Sequence, residues 1–163
     1  MRRPDPQATF TIRAARRDDL AFLRRCAQEA YEIYIEAIGR APAPMLFDFE
    51  AAVGHDTIEV LEADGHRVGH MRWELRRDCL FLDSIAITRE AQGHGFARRA
   101  FDHLERVARA TRRPAIELYT NVAMISNLTL YPHLGFTVSD RRHEDGYDRV
   151  YFRKALDPAP SND

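Results

Sequence analysis

Two glycines with one residue between them, Gly93 and Gly95, stand between an apolar stretch and a helical one. The stretch 80–87 is rich in Leu and Ile and is short enough to be a buried strand. The first N–H groups of a helix lack internal partners and attract anions, and glycine lets the backbone approach a phosphate closely. The order of strand, glycine loop and helix therefore predicts a phosphate-binding site. The helix is predicted by apolar residues at Phe96, Ala97, Ala100, Phe101, Leu104 and Val107.

The residues around the glycines argue against two common phosphate sites. The lysine that a P-loop requires is missing from this segment. A dinucleotide-binding fingerprint needs a third glycine at the position that Arg98 occupies. A helix start whose glycines serve tight packing alone is the remaining alternative to a phosphate site.

Composition limits the classes of partner. The formal net charge of the 163-residue chain is −1, which argues against a nucleic-acid partner. The two cysteines, Cys26 and Cys79, have no nearby Cys or His at metal-ligand spacing, so we expect reduced thiols and no metal. Neither a signal peptide nor an apolar run of membrane length is found, so the predicted location is the cytoplasm, without a membrane partner.

The patterns along the chain predict one α+β domain over residues 1–163. The ends, 1–8 and 157–163, are polar and contain proline, and we expect both to be flexible. Asp64-Gly65 predicts a hairpin turn, and Gly69 in the following strand predicts a bulge or a close backbone approach. The predicted strands are 10–13, 57–62, 66–76, 80–87, 115–119, 136–138 and 150–153, and the predicted helices run from a cap at 18 or 19 to 38, from 47 to 53, from 96 onward and from 124 to 134.

Two segments resemble signatures of the GCN5-related N-acetyltransferases (GNAT). Gln92-x-x-Gly95-x-Ala97 is similar to the coenzyme-binding signature of that family, and Leu130-Tyr131-x-x-x-Gly135-Phe136 matches its Leu-Tyr-x-x-x-Gly-Phe motif. The predicted order of elements also matches, so the resemblance covers nearly the whole chain. It implies the acyl-CoA N-acyltransferase fold, with a central mixed, mostly antiparallel sheet that is flanked by helices and splayed between strands 4 and 5. It also implies acetyl-CoA as co-substrate.

The resemblance assigns coenzyme contacts to the predicted strand and glycine loop. Main-chain groups of 85–87 are expected to hydrogen-bond the pantetheine arm, and one N–H to polarise the thioester carbonyl. His94, when protonated, adds charge to the pyrophosphate contact, and Arg98 in the first helical turn is placed to pair with a phosphate. The expected coenzyme-binding residues are Ile85, Ala86, Ile87, Gln92, Gly93, His94, Gly95, Phe96, Ala97, Arg98 and, from the next predicted helix, Asn127.

Tyr131 is the predicted general acid, because the resemblance places a tyrosine of this motif near the coenzyme sulfur. An unperturbed phenol has a pKa near ~10 and can give its proton to a leaving thiolate. The alternative is a buried aromatic residue that serves packing only. Many family members carry an asparagine seven residues before this tyrosine, where Met124 stands here, so Asn121 competes with Asn127 for the second coenzyme contact.

The general base is the least determined part of the predicted site. Asp83 precedes the coenzyme-contacting strand segment and is the expected base. The other candidates are Glu74, Glu117, His70 and His133, and a water chain without a dedicated base is an alternative.

The resemblance predicts an N-acetyltransferase that moves the acetyl group directly to a primary amine, since neither cysteine is placed for a covalent acetyl-enzyme. Tyr31 and Tyr34 favour a small-molecule acceptor, while an amino acid, an antibiotic or a protein amine stays open, as does a homodimer. The alternatives from other classes are a non-catalytic acyl-CoA sensor and a nucleotide-binding module.

Overall fold

The protein is described by a computed structural model. It describes residue 7 and residues 9–55 and 57–158, so the ends that the sequence predicts to be flexible fall largely outside the described residues. Within this part of the chain, no helix is long and apolar enough to cross a membrane. The strands are β1 (Phe10–Ala14), β2 (Thr57–Ala63), β3 (His66–Leu75), β4 (Leu80–Ile87), β5 (Ala115–Asn121), β6 (Thr137–Glu144) and β7 (Tyr147–Ala155), and the helices are α1 (Leu20–Tyr31), α2 (Ile35–Ile38), α3 (Phe49–Ala52), α4 (Phe96–Ala110) and α5 (Ile125–His133).

The seven strands are hydrogen-bonded in the order β1-β2-β3-β4-β5-β7-β6. β1–β2, β2–β3, β5–β7 and β6–β7 pair antiparallel, whereas β4 and β5 pair parallel. The β4–β5 register covers 80–82 and 116–118, and both strands continue beyond these residues. The predicted mixed, mostly antiparallel sheet, splayed between strands 4 and 5, is therefore confirmed.

The chain forms two compact units that share strand β4 and helix α4. The first unit contains the residues up to Trp73 together with Ser84–Ala100. The second contains Glu74–Asp83 together with the residues from Phe101 onward. The C-terminal half of β4 and the start of α4 therefore belong to the first unit, and the remainder of both elements belongs to the second.

In the first unit, one face of α1 packs into the core. Its buried residues, Phe22, Leu23, Cys26, Ala27 and Tyr31, follow the spacing of a single helical face. The helix predicted to continue to residue 38 is interrupted after this face ends: a 3-10 turn at 32–34 separates α1 from α2. Burial does not stabilise a regular helix there, since Ile33 is 65% exposed.

A buried carboxylate, Asp19, ties β1, β3 and the start of α1 together. It accepts two hydrogen bonds from Arg13 at 2.8 and 2.9 Å, one from Arg67 at 3.1 Å and one from the Arg16 N–H at 2.8 Å. The hydrogen-bonded Arg13 guanidinium holds the pKa of Asp19 well below its usual range, although burial acts in the opposite direction. This network is part of the framework of the first unit.

In the second unit, the two faces of the sheet are covered differently. Phe152 packs against Tyr131, whose ring also contacts Phe101 and Phe136, with ring centroids 5.5–6.1 Å apart. Adjacent residues of a strand point to opposite faces, so Tyr151 lies on the other side. There, arginines stack on aromatic rings, as cation–π contacts allow. The pairs are Arg76 on Phe81, Arg149 on Tyr119 and Arg142 on Tyr151, at 3.6, 4.5 and 4.3 Å from the ring centroid.

The C-terminal hairpin is longer than the sequence predicted. The predicted strands were 136–138 and 150–153, whereas β6 spans Thr137–Glu144 and β7 spans Tyr147–Ala155. Asp145 and Gly146 form the turn, with φ of 55° and 79°. Nearly every side chain of β6 is exposed, so the apolar alternation that reveals most strands is lacking.

Candidate functional site

The glycine loop lies between the end of β4 and the start of α4. A 3-10 turn opens it, with the N–H groups of Ala91 and Gln92 donating to the Thr88 carbonyl at 3.0 and 3.1 Å. Gly93 and Gly95 then have φ of 80° and 78°, a left-handed conformation that side chains with a Cβ rarely adopt. Both glycines are therefore required by the backbone itself.

The space beside this loop suits a bound anion. A Cβ added at Gly93 or Gly95 would meet no described atom within 4 Å. Helix geometry leaves the first N–H groups of α4 without acceptors inside the helix, and the helix dipole favours negative charge at this end. The residues present therefore fit a phosphate group, which main-chain N–H groups would bind.

Two polar side chains of the loop bond to the backbone nearby. Gln92 donates through Nε2 to the Ile87 carbonyl at 3.1 Å. His94 Nδ1 lies 3.1 Å from the Ala91 carbonyl and 3.0 Å from the Gln92 carbonyl, so this nitrogen carries the proton. The His94 ring also stacks on Phe96, whose centroid is 6.1 Å away. Both side chains therefore hold the shape of the loop, whereas Arg98 is exposed at the first turn of α4.

Three successive carbonyls of the predicted pantetheine segment accept hydrogen bonds from side chains of the first unit. Two of the donors come from α1 and one from the glycine loop. The pairs are Tyr31 Oη to Ile85 O at 2.7 Å, Cys26 Sγ to Ala86 O at 3.7 Å and Gln92 Nε2 to Ile87 O at 3.1 Å.

Strand β3 approaches the same segment closely at Gly69. A Cβ at this position would lie 2.4 Å from the Ala86 oxygen and 2.9 Å from Cδ1 of Ile87, so glycine is required sterically. The β2–β3 register also shifts between Leu61 and Glu62, directly opposite. The bulge and the close approach that the sequence predicted as alternatives are both present.

Tyr131 lies in α5, in the second unit, and is 5% exposed. The motif around it closes the helix: Phe136 N–H donates to the Tyr131 carbonyl at 3.0 Å, and Gly135 has φ of 91°. The spacing of tyrosine, glycine and phenylalanine is thus explained by a helix end followed by a strand. The same spacing packs the Phe136 ring against the Tyr131 ring.

The two asparagines that compete for a coenzyme contact both make hydrogen bonds within the second unit. Asn127 donates to Thr120 Oγ1 at 3.2 Å and to Met124 Sδ at 3.6 Å. Asn121 accepts from the Ala123 N–H at 2.9 Å and so shapes the turn from β5 into α5. Asn127 as a coenzyme contact stays a prediction.

The candidate bases lie in very different surroundings. His70 is fully buried in the first unit, 5.3 Å from the Phe49 ring, and burial lowers its pKa to about 4, so it is neutral at pH 7. In the second unit, Glu117 pairs with Arg153 at 2.5 Å, Glu74 pairs with Arg76 at 2.7 Å, and His133 is exposed. Asp83, in the β4 part of the second unit, is half-buried and stays the predicted base.

Neither cysteine has the properties of a nucleophile. Cys26 and Cys79 are both buried, and burial raises the pKa of each thiol to about 12. Both therefore stay protonated near neutral pH. In the described part of the chain, no group of three or more His, Cys, Asp or Glu residues could hold a metal ion.

Each unit thus brings together part of the predicted site. The first contains 85–87 and the loop to Arg98, and the second contains Asp83, Asn127 and Tyr131. The contacts of Tyr31 and Cys26 with β4 were not predicted. Their spacing in the sequence shows only that they lie on the apolar face of α1.

Comparison with known proteins gives a consistent result. The model of the Acetyltransferase (GNAT) family matches residues 21–136. Comparison with curated proteins gave no significant match. Solved structures with the same fold include ribosomal-protein-S18-alanine N-acetyltransferase from Escherichia coli, with a TM-score of 0.72, 19% identity and coverage of 94% of this chain and 98% of that one.

Two further similar structures also come from acetyltransferases. PaiA N-acetyltransferase from Thermoplasma acidophilum, in complex with coenzyme A, has a TM-score of 0.68 and 18% identity, covering 91% of this chain and 99% of that one. Spermidine/spermine N-acetyltransferase SpeG from Vibrio cholerae has a TM-score of 0.66 and 19% identity, covering 92% and 94%. These likenesses confirm the predicted acyl-CoA N-acyltransferase fold.

Proposed function

We propose, because the chain belongs to the acetyltransferase (GNAT) family, that it transfers the acetyl group of acetyl-CoA directly to a primary amine of a small-molecule acceptor. The observation that carries the proposal is the glycine loop. Two left-handed glycines, each facing open space, directly precede the N-terminus of the 15-residue helix α4. This geometry suits the pyrophosphate of the coenzyme.

The strand before the loop supplies the next part of the site. Main-chain N–H and C=O groups of 85–87 bind the amide groups of the pantetheine arm. An N–H of this segment also polarises the thioester carbonyl, which makes its carbon more reactive toward an amine. Backbone groups suit this task because their direction is set by the strand and does not depend on a flexible side chain.

The reaction then needs two proton transfers. The acceptor nitrogen forms a bond to the acetyl carbon and loses a proton, for which Asp83 is the proposed base. The carbon–sulfur bond breaks, and the proposed acid Tyr131 gives its proton to the departing thiolate. Direct transfer is supported by the buried thiols of Cys26 and Cys79, whose pKa values of about 12 leave both cysteines unreactive as nucleophiles.

The coenzyme contact is tested by a charge placed in the loop. Gly95→Asp introduces a carboxylate beside the proposed phosphate position, so calorimetry should show the affinity for acetyl-CoA falling more than about tenfold. Gly54→Asp is the matched control, because Gly54 also has a left-handed φ, 91°, and no atom within 4 Å of an added Cβ. Equal affinities for the two variants would contradict the phosphate site.

The transfer step is tested with a panel of amines. Polyamines, amino acids, aminoglycosides and a peptide with a free N-terminus are incubated with acetyl-CoA, and the free thiol is detected. An amine-dependent release of thiol supports the enzyme. Tight acetyl-CoA binding without release from any amine would favour the acyl-CoA sensor instead.

A further inference from the structure

We propose that Tyr31 and Cys26 of α1, together with Gln92, are positioning residues that fix the backbone of 85–87 for the pantetheine arm. This proposal rests on the proposed function. The observation behind the proposal is that three successive carbonyls of β4 each accept a hydrogen bond from one of these side chains, at 2.7, 3.7 and 3.1 Å. These residues have no chemical role in the reaction and act through the strand.

Fixing a carbonyl also fixes the N–H on the other side of the same peptide bond. The peptide unit is planar and trans, so its C=O and N–H point in opposite directions. The Cys26 contact with the Ala86 carbonyl therefore sets the direction of the Ile87 N–H. The Tyr31 contact with the Ile85 carbonyl sets the direction of the Ala86 N–H in the same way.

The peptide unit between Ile87 and Thr88 has a hydrogen-bond partner on each side. The Thr88 N–H donates to the Val68 carbonyl of β3 at 2.8 Å. The Ile87 carbonyl of the same peptide unit therefore points away from Val68, where Gln92 donates to it at 3.1 Å. Strand β3 therefore fixes the N–H of this peptide unit, and Gln92 of the proposed phosphate loop fixes its C=O.

This segment needs such support because of its place in the sheet. The paired part of β4 and β5 ends at residue 82 of β4, so 85–87 lie beyond it. A strand without a neighbour on one edge presents unpaired N–H and C=O groups there, whose direction no partner strand fixes. Side-chain donors can fix this direction and still leave main-chain N–H groups and the second lone pair of each carbonyl for a ligand.

Tyr31 is the residue whose removal is most informative. It is 8% exposed, so its hydroxyl donates in a largely dry environment. Tyr31→Phe keeps the ring on the apolar face of α1 and removes only this donor. The Ile85 carbonyl then loses its fixed partner, and the peptide plane gains freedom that a bound pantetheine arm must remove.

The experiment compares acetyl-CoA with the nucleotide half of the coenzyme, 3′-phospho-ADP, which keeps the pyrophosphate and lacks pantetheine. For Tyr31→Phe, calorimetry should show the Kd of acetyl-CoA rising about three- to tenfold, while the Kd of 3′-phospho-ADP changes less than about twofold. Gly95→Asp should weaken both ligands. Tyr151→Phe is the matched control, since it removes a hydroxyl that donates to Glu144, and should weaken neither.

A second pair of variants tests the weaker sulfur contact. Cys26→Ala removes the donor to Ala86, and Cys26→Ser keeps one, so acetyl-CoA should bind less tightly to the alanine variant than to the serine variant. Circular dichroism and the melting temperature confirm that each variant is folded before it is titrated.

Three outcomes would overturn the proposal. If Tyr31→Phe binds acetyl-CoA as tightly as the wild type, the hydroxyl has no positioning role. If Tyr31→Phe loses affinity equally for both ligands, the Tyr31 hydroxyl supports the phosphate loop or the fold as a whole and does not position 85–87. If the wild-type protein binds neither ligand, the proposed function fails and this inference fails with it. If the wild-type protein binds acetyl-CoA and only the expected effect of Tyr31→Phe is missing, the positioning role alone is refuted.

Discussion

Gly69→Ala tests how closely β3 must approach 85–87, the segment proposed to bind the coenzyme. The added Cβ would lie 2.4 Å from the Ala86 oxygen, and a carbon–oxygen contact needs about 3.3 Å. One of the two strands must therefore move by roughly 0.9 Å, because the nearest atom, the Ala86 oxygen, belongs to the backbone and cannot rotate away as a side chain can. Overpacking of this kind costs about 1–3 kcal/mol of unfolding free energy.

The same movement should weaken acetyl-CoA binding. A displacement of roughly 0.9 Å at the Ala86 backbone lengthens a hydrogen bond from about 2.9 Å to beyond its useful range. Losing one or two such bonds, each worth about 0.5–1.5 kcal/mol, predicts a Kd that rises about tenfold. Urea denaturation followed by the fluorescence of Trp73, the single tryptophan, measures stability, and calorimetry measures the affinity.

A companion variant identifies which atom is responsible. Ile87→Val removes Cδ1, the atom 2.9 Å from the added Cβ, and leaves the Ala86 oxygen in place. Combined with Gly69→Ala, it should therefore restore little of the lost stability. Full recovery would show that a side chain, and not the backbone, limits the approach. A Gly69→Ala protein with unchanged stability and affinity would refute the steric reasoning altogether.

Two further predictions concern the framework and the chemistry. Because Arg13 lowers the pKa of Asp19 in the folded protein, the pair stabilises the fold above the unfolded pKa of ~3.9, and this contribution disappears as pH falls through the folded value. Asp19→Asn should therefore lower the unfolding free energy by ~1.5–3 kcal/mol at pH 7, with the difference shrinking below the unfolded pKa, and urea denaturation from pH 7 down to about pH 2 checks this. A difference that is constant over this range would contradict the ion-pair explanation. Tyr131→Phe should lower kcat by ~10²–10⁴-fold with little change in acetyl-CoA affinity, measured with an amine from the panel that releases thiol. A kcat within about threefold of the wild type would make Tyr131 a packing residue.

The parts of the fold that the sequence predicted depend on signals within a few residues. Asp64-Gly65 forms a turn with φ of 50° and 76°, and Gly93 and Gly95 adopt the left-handed conformation that a glycine loop requires. In each case the left-handed backbone restricts which residue types can stand there, so no distant partner is needed to interpret the signal. Asp145-Gly146 carries the same signal and would have predicted the longer hairpin of β6 and β7.

The parts that the sequence did not predict depend on contacts between distant residues. Tyr31 and Ile85 are 54 positions apart, and the apolar spacing of α1 does not tell which backbone group the Tyr31 hydroxyl meets. The stacking of Arg149 on Tyr119 likewise depends on the pairing of β5 with β7. No signal near Arg149 in the sequence indicates that its side chain is only 11% exposed.

The contact of Tyr31 also changes the argument about the acceptor. In the sequence, Tyr31 and Tyr34 favoured a small-molecule acceptor, but the Tyr31 hydroxyl donates to the Ile85 carbonyl at 2.7 Å. The position of Tyr31 is therefore explained by its contact with β4, and the small-molecule proposal loses one of its two supports. A Tyr31 variant that turned over an amine slowly would not identify an acceptor pocket unless its acetyl-CoA affinity had been measured first. For the same reason, the amine panel must include a peptide N-terminus and should not be restricted to small amines.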